Sequence, residues 1–192
     1  MRFLIHLALM IVVALGTGFG LSWYALNDGR LLGAVEIGPW QAWRDVGVPG
    51  PDPYTRAYIA RSGSLELGAS EGLQFTATLD SDNRRLDRDC RYRIDGSTPP
   101  ARFWTLVPVA PDTSAPVTRP GGPTDFHSAR LSRASDGSVE LYISKALAPR
   151  NWLEIAGDGP FDLVLTLYDP SSLSGTGANV ATLPSIIREA CA

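Results

Sequence analysis

Lysine is nearly missing from this chain. Of 17 basic residues in 192, only Lys145 is a lysine, and 20 acidic residues leave a formal net charge of -3. A chain with no positive field has no means of drawing in a phosphate backbone, which excludes nucleic acid as an expected partner. Histidine is almost as scarce. His6 lies inside a long apolar run, which leaves His127 as the one histidine outside it that can titrate near neutrality. The two cysteines, Cys90 and Cys191, are too few for a disulfide scaffold and too far apart for a Cys-x-x-Cys metal or redox motif. One such histidine and two distant thiols cannot assemble a tetrahedral zinc site. The sequence also has no glycine-rich phosphate loop that follows a strand and opens a helix. The expectation is no metal, no cofactor and no catalytic set.

What is abundant is apolar sequence at the start. Residues 3–26 are apolar apart from His6, Thr17, Ser22 and the rings of Trp23 and Tyr24. As a helix at ~1.5 Å per residue the run reaches about 36 Å, enough for a bilayer core of about 30 Å. Arg2 precedes it and Asn27-Asp28 follow it, so the positive-inside rule places the N-terminus in the cytoplasm and residues 27–192 outside. Trp23 and Tyr24 fall where an interfacial aromatic belt belongs. A cleaved signal peptide is the rival reading, with Ala14-Leu15-Gly16 as the cleavage site, but the apolar run continues past that point and favours an uncleaved anchor. Gly16 and Gly20 form a small-xxx-small pair, a pattern that recurs by chance in such a glycine-containing run.

The remainder reads as 28–51, a linker and edge segment, and 52–192, a β-sandwich. In the first, Trp40 and Trp43 read as packing anchors, and Ala34 to Ile37 as an edge strand. Asp52-Pro53 opens a short helix with a capping carboxylate and a proline at its first position, and Gly63 suits the residue after its end. Tyr54, Ala57, Tyr58 and Arg61 form its core-facing stripe. Leu73, Phe75, Ala77 and Leu79 alternate with polar residues, as a half-buried strand does. Cys90, Tyr92 and Ile94 alternate with Arg91, Arg93 and Asp95. Phe103 to Val109 is apolar on both faces, and with the Cys90 run it predicts a strand pair at the centre of the core. Val139, Leu141 and Ile143 alternate after a Ser135-Asp136-Gly137 turn. Asn151 to Ile155 and Phe161 to Tyr168 predict another pair across Gly157-Asp158-Gly159-Pro160, and Pro108 to Pro123 predicts an exposed loop. Strands at this spacing imply an all-β, jelly-roll-like antiparallel sandwich with a short helix, preceded by one N-terminal transmembrane helix. The tail from Leu183 to Cys191 fits a strand or a helix equally.

Several of these stretches carry a family likeness. Asp52-Pro53-Tyr54 with Arg56-Ala57, Phe75-Thr76-Ala77 with Asp80-Ser81-Asp82, Cys90 and Tyr92, Pro100-Ala101-Arg102-Phe103-Trp104-Thr105-Leu106, Asn151-Trp152-Leu153, Gly159-Pro160-Phe161 and Leu165-Thr166-Leu167-Tyr168 together resemble the bacterial domain of unknown function 1214 over about residues 33–192. The resemblance implies a jelly-roll-like β-sandwich and no established activity. Many relatives carry a second domain ahead of this one, where here the apolar segment stands.

If the chain were an enzyme, His127 and the neighbouring Asp125 are the candidate site, with Ser128 beside them, although closeness in sequence does not make a triad. In an oxidising compartment Cys90 and Cys191 are expected to form a disulfide that pins the tail to the core. Asp80, Asp82 and Asp87 sit near a turn, but Arg84 stands where a calcium loop needs an oxygen ligand, so a solvated hairpin tip is expected. Arg84, Arg85, Arg88, Arg91 and Arg93 face Asp80, Asp82, Asp87, Asp89 and Asp95 as surface ion pairs of little individual worth. The expectation is a single-pass protein of the bacterial inner membrane, held by residues 3–26, whose periplasmic domain binds a protein or envelope glycan. The alternative is a periplasmic enzyme such as a carbohydrate-active hydrolase.

Overall fold

A computed structural model describes residues 2–27, 34–43, 47–62, 67–68, 71–97, 101–135, 137–169 and 183–191. In chain order the elements are α1 (Arg2–Asn27), β1 (Ala34–Ile37), β2 (Trp40–Trp43), α2 (Pro53–Ser62), β3 (Gly72–Ala77), β4 (Cys90–Gly96), β5 (Phe103–Val109), β6 (Phe126–His127), β7 (Val139–Ser144), β8 (Asn151–Glu154), β9 (Asp162–Tyr168) and β10 (Ser185–Cys191). The strands form a six-stranded sheet, β1-β2-β3-β9-β5-β6, and a four-stranded sheet, β10-β4-β7-β8. Helix α1 is long and apolar enough over Arg2–Tyr24 to cross a membrane, and its apolar side chains there are exposed.

The period-two patterns decide which face of each strand is buried. In the larger sheet, β3 contributes Phe75 and Ala77, β9 contributes Leu163, Leu165 and Leu167, and β5 contributes Trp104 and Leu106. Across from them lie Tyr92 and Ile94 of β4, Leu141 and Ile143 of β7, Leu153 of β8 and Ile186 of β10, and all belong to one hydrophobic cluster. Removing this much apolar surface from water is what holds the two sheets face to face. The fold is thus an all-β sandwich with one short helix, preceded by an apolar helix. Asp52 caps α2 as its position suggests: its Oδ1 accepts from the Thr55 N–H at 3.2 Å, and its Oδ2 accepts from the Thr55 hydroxyl. Gly63 and the side chains of Tyr54, Tyr58 and Arg61 lie outside the described residues.

Three expected pairings do not form, the first being β3 with β4, which lie in different sheets. β4 and β5 do not pair, because the chain crosses between sheets after Gly96, and each strand finds its neighbours elsewhere: β10 and β7 for β4, β9 and β6 for β5. β8 and β9 also belong to different sheets. β8 instead runs parallel to β7, since residues 145–150 carry the chain back until Asn151 stands beside Leu141. The tail is a strand, antiparallel to β4 with a bulge between Arg188 and Ala190. The loop after Pro108 is less exposed than expected, for Val117 and Thr118 are buried and Thr118 bridges to Ile155.

Asp80 departs most from its sequence reading. It is 1% exposed, and its Oδ1 accepts from the backbone N–H groups of Asp82 at 3.0 Å and Arg84 at 2.9 Å. Its Oδ2 lies 2.9 Å from Arg188 Nε of β10 and 3.3 Å from Arg84 Nε. The expected solvated hairpin tip is thus a turn between strands of different sheets, folded inward around this carboxylate. The Ser81 N–H donates to the Ile186 carbonyl and the Ile186 N–H donates to Ser81 Oγ, both at 2.9 Å, so β10 is fastened to the same turn. At the start of β10, Trp40 Nε1 of the other sheet donates to the Pro184 carbonyl at 2.7 Å.

Close backbone approach explains one glycine. A β-carbon on Gly72 would fall inside the van der Waals envelope of the Leu167 carbonyl oxygen on the neighbouring strand. Gly72→Ala should force β3 from β9 and lower stability by about 1–3 kcal/mol in urea unfolding followed by tryptophan fluorescence. An unchanged midpoint would contradict this.

Candidate functional site

A polar cleft opens on the outer side of the four-stranded sheet. It follows from alternation, because residues that point away from the core on β4 and β7 become neighbours: Asp95 stands opposite Glu140, and Arg93 opposite Tyr142. Arg93 Nη1 lies 2.6 Å from Asp95 Oδ2 and 3.9 Å from Glu140 Oε1, and its Nε lies 3.2 Å from Glu189 Oε1 on β10. The Tyr142 hydroxyl donates to Glu140 Oε1 at 2.8 Å. Arg150 Nη1 lies 3.4 Å from Glu140 Oε2. One carboxylate thus gathers three partners.

The opposite wall comes from the segment before β7. Asn151, buried at the start of β8, donates from Nδ2 to the carbonyls of Ser132 at 2.8 Å and Glu140 at 3.0 Å. Its Oδ1 accepts from the Ser132 N–H at 2.8 Å. With all three bonds made, Asn151 ties that segment to the sheet and holds the cleft open, since a buried amide left unpaired would be costly. The resulting space is about 420 Å³, with Asp95, Ser132, Arg133, Glu140, Arg150 and Asn151 in its walls. This volume suits a small ligand, while the lining is more polar than most such sites. Arg133 donates only to the Ser128 carbonyl, at 3.4 Å, and has no carboxylate partner among the described residues.

Arg150 has a backbone φ of 60°, the left-handed region that a side chain other than glycine, asparagine or aspartate rarely adopts. Strain of this kind concentrates where a side chain must be held in place for a purpose. Here the reversed backbone sets Arg150 at the mouth of the cleft, where the chain turns into β8.

The residues singled out from the sequence lie elsewhere. His127 is on β6 at the edge of the six-stranded sheet, with its ring 5.8 Å from that of Phe103 and its Nδ1 buried without a hydrogen-bond partner. Asp125 accepts a 3.4 Å contact from the Thr124 hydroxyl and makes no described contact with His127. Ser128 Oγ accepts from the Trp104 N–H at 3.2 Å, a structural role that fastens the 128 region to β5. Cys90 and Cys191 are brought together as partners across β4 and β10, disulfide-bonded with their α-carbons 3.9 Å apart. Among the described residues no three His, Cys, Asp or Glu side chains gather as a metal site. The cleft itself was not visible beforehand. Arg93, Asp95 and Glu140 were recognisable as wet-face residues, but their adjacency depends on β4 pairing with β7.

Acceptance by Glu140 stabilises the protonated phenol of Tyr142. This hydrogen bond, then burial and the Glu140 charge, raise its pKa above the ordinary tyrosine value. Because the folded pKa is the higher one, the associated stability is complete below the unfolded value of about 10 and is lost as pH rises through the folded value. Glu140→Gln should move the Tyr142 phenolate absorbance transition, identified by its loss in Tyr142→Phe, down toward the ordinary value. A transition that does not move would contradict the assignment of Glu140 as the controlling group.

The surroundings of the cleft match a known family. The model for "Protein of unknown function (DUF1214)" matches residues 71–172, which include β3 through β9. No curated protein matches the sequence. Among solved structures, the VPA0106 protein from Vibrio parahaemolyticus is similar at a TM-score of 0.56 and 18% identity, covering 71% of this chain and 35% of that one. An uncharacterized protein from Burkholderia cenocepacia shares 18% identity at a TM-score of 0.43, covering 62% of this chain and 29% of that one. The chain therefore spans about a third of the length of these structures, and the likeness to VPA0106 concerns the fold alone. With its family model matched over more than half its length, this chain belongs to the DUF1214 family of proteins of unknown function.

Proposed function

We propose that this protein is a non-catalytic binding module, held in the bacterial inner membrane by α1, that presents the cleft of its four-stranded sheet to the periplasm. The observation that carries the binding reading is the engagement of the two carboxylates in the cleft. Asp95 is held by Arg93, and Glu140 by Arg93, Arg150 and Tyr142. General acid–base work needs a carboxyl group free to exchange a proton with substrate. In this cleft the carboxylates engage Arg93 and Arg150 instead, and Arg133 and Arg150 stand in the walls.

The location rests on two features that support each other. An apolar helix of membrane-spanning length precedes a domain whose two cysteines meet as a disulfide, a bond that persists in oxidising compartments. The Arg2 side of α1 stays in the cytoplasm by the charge rule, which sends the sandwich outward. The hydrolase reading draws on one specific observation, the presence of Asp95 and Glu140 in the same cleft.

Both features are tested in one experiment on the native host's fractions. Protease added to spheroplasts should digest the sandwich of a full-length, membrane-bound chain, and alkylation should add two tags only after reduction. A shortened chain in the soluble periplasmic fraction would mean that α1 is a cleaved signal, and tags without reduction would mean that the thiols are free.

A further inference from the structure

We infer that the cleft binds a small polyhydroxylated organic anion, with Arg133 and Arg150 as the groups that read its charge. The inference rests on the reading of the cleft as a binding site and names its ligand class. Charge in the cleft is unevenly committed. Asp95 and Glu140 are already matched to Arg93 and, for Glu140, to one edge of Arg150. The Arg150 side chain is otherwise largely exposed, at 62%. Arg133 carries no carboxylate at all among the described residues. A guanidinium offers five N–H donors in a fixed fork, so these two side chains leave a surplus of donors facing the opening.

That surplus fits an oxyanion, because a carboxylate or phosphate accepts two parallel bonds from one guanidinium. The remaining lining fits hydroxyl groups. Asp95 and Glu140 keep lone pairs for ligand O–H donors beyond their bonds to arginine, and the Ser132 and Ser135 side chains in the walls can donate or accept. Among the described residues the lining has no aromatic platform, which disfavours an extended sugar chain stacked on a ring, and the space of about 420 Å³ holds a ligand of monosaccharide size. The left-handed φ of 60° at Arg150 is an independent sign. Glycine would take that backbone without strain, so the presence of arginine there is accounted for by what its side chain does.

The test uses the full chain in lipid nanodiscs and three probes of one size: D-galacturonate, D-galactose 6-phosphate and neutral D-galactose. Binding is read by calorimetric titration and by saturation-transfer NMR. At least one of the two anions should bind tenfold or more tightly than galactose, and which one does so identifies the oxyanion as carboxylate or phosphate. Arg133→Gln and Arg150→Gly should each weaken that anion at least tenfold. Arg150→Gly should do so with its unfolding midpoint unchanged or raised, which separates loss of binding from loss of fold. Equal binding of galactose, no binding of either anion, or variants that bind as the wild type does would overturn the inference. Conversion of a bound anion to product in the same NMR sample would instead overturn the non-catalytic reading while the ligand class stood.

Discussion

The buried carboxylate of Asp80 ties β10 to the turn between β3 and β4. It sits in the turn between β3 and β4, almost wholly out of water, with two backbone N–H donors on one oxygen and Arg188 Nε on the other. Arg188 in turn donates to the Arg85 carbonyl and lies over the ring of Tyr92, 5.4 Å from its centroid. Burying both charges costs several kcal/mol of hydration each, and only a fully hydrogen-bonded geometry repays it. Without Arg188 the buried carboxylate keeps its two N–H donors and only the half-exposed Arg84, at 3.3 Å; without Asp80 the Arg188 guanidinium loses its carboxylate. The strand so fixed, β10, completes the four-stranded sheet, and through Pro184 it also reaches Trp40 of the opposite sheet. The Cys90–Cys191 bond closes its far end across a sequence separation of 101, a loop long enough for chain entropy alone to contribute up to about 4.7 kcal/mol.

The cleft depends on that arrangement at one remove. β10 supplies Glu189 to Arg93, and Arg93 organises Asp95 and Glu140. A four-stranded sheet that lost its edge strand would leave Arg93 with one carboxylate fewer and the cleft wall less defined. The cleft and the fastening of β10 therefore meet in adjacent residues of that strand: Arg188 turns to the buried Asp80 and the ring of Tyr92, and Glu189 to Arg93. Helix α1 is long and apolar enough to cross a membrane by its length and composition.

Much of this was legible from residue order, and what was hidden has a common cause. Strands with one wet and one dry face, such as those through Phe75, Tyr92 and Leu141, announce themselves because a period of two is a local property. The helix cap at Asp52 is equally local. Pairing is not. The apolar runs at β4 and β5 look like a hairpin, yet a sandwich lets the chain cross to the other sheet at Gly96, and nothing local distinguishes that crossing from a turn. The parallel placement of β8 beside β7 was invisible for the same reason. Asp80 looked like an ordinary turn residue because its partner, Arg188, is 108 positions away. The cleft, built from residues on β4, β7, β8 and the segment before β7, could not be assembled before those pairings were known. His127 drew attention through its chemical type, and Arg133 and Arg150 did not, since exposed arginines are common in a chain with so little lysine.

The most direct measurement of this account is a double-mutant cycle on Asp80 and Arg188. Asp80→Asn, Arg188→Met and the pair are unfolded in urea with the disulfide intact. Each single variant should lose about 3–5 kcal/mol because a buried charge or its partners are left uncompensated. The double variant should lose less than the sum, with a coupling of about 0.5–3 kcal/mol. Additive losses, or single losses no larger than about 1 kcal/mol as at an exposed ion pair, would contradict this.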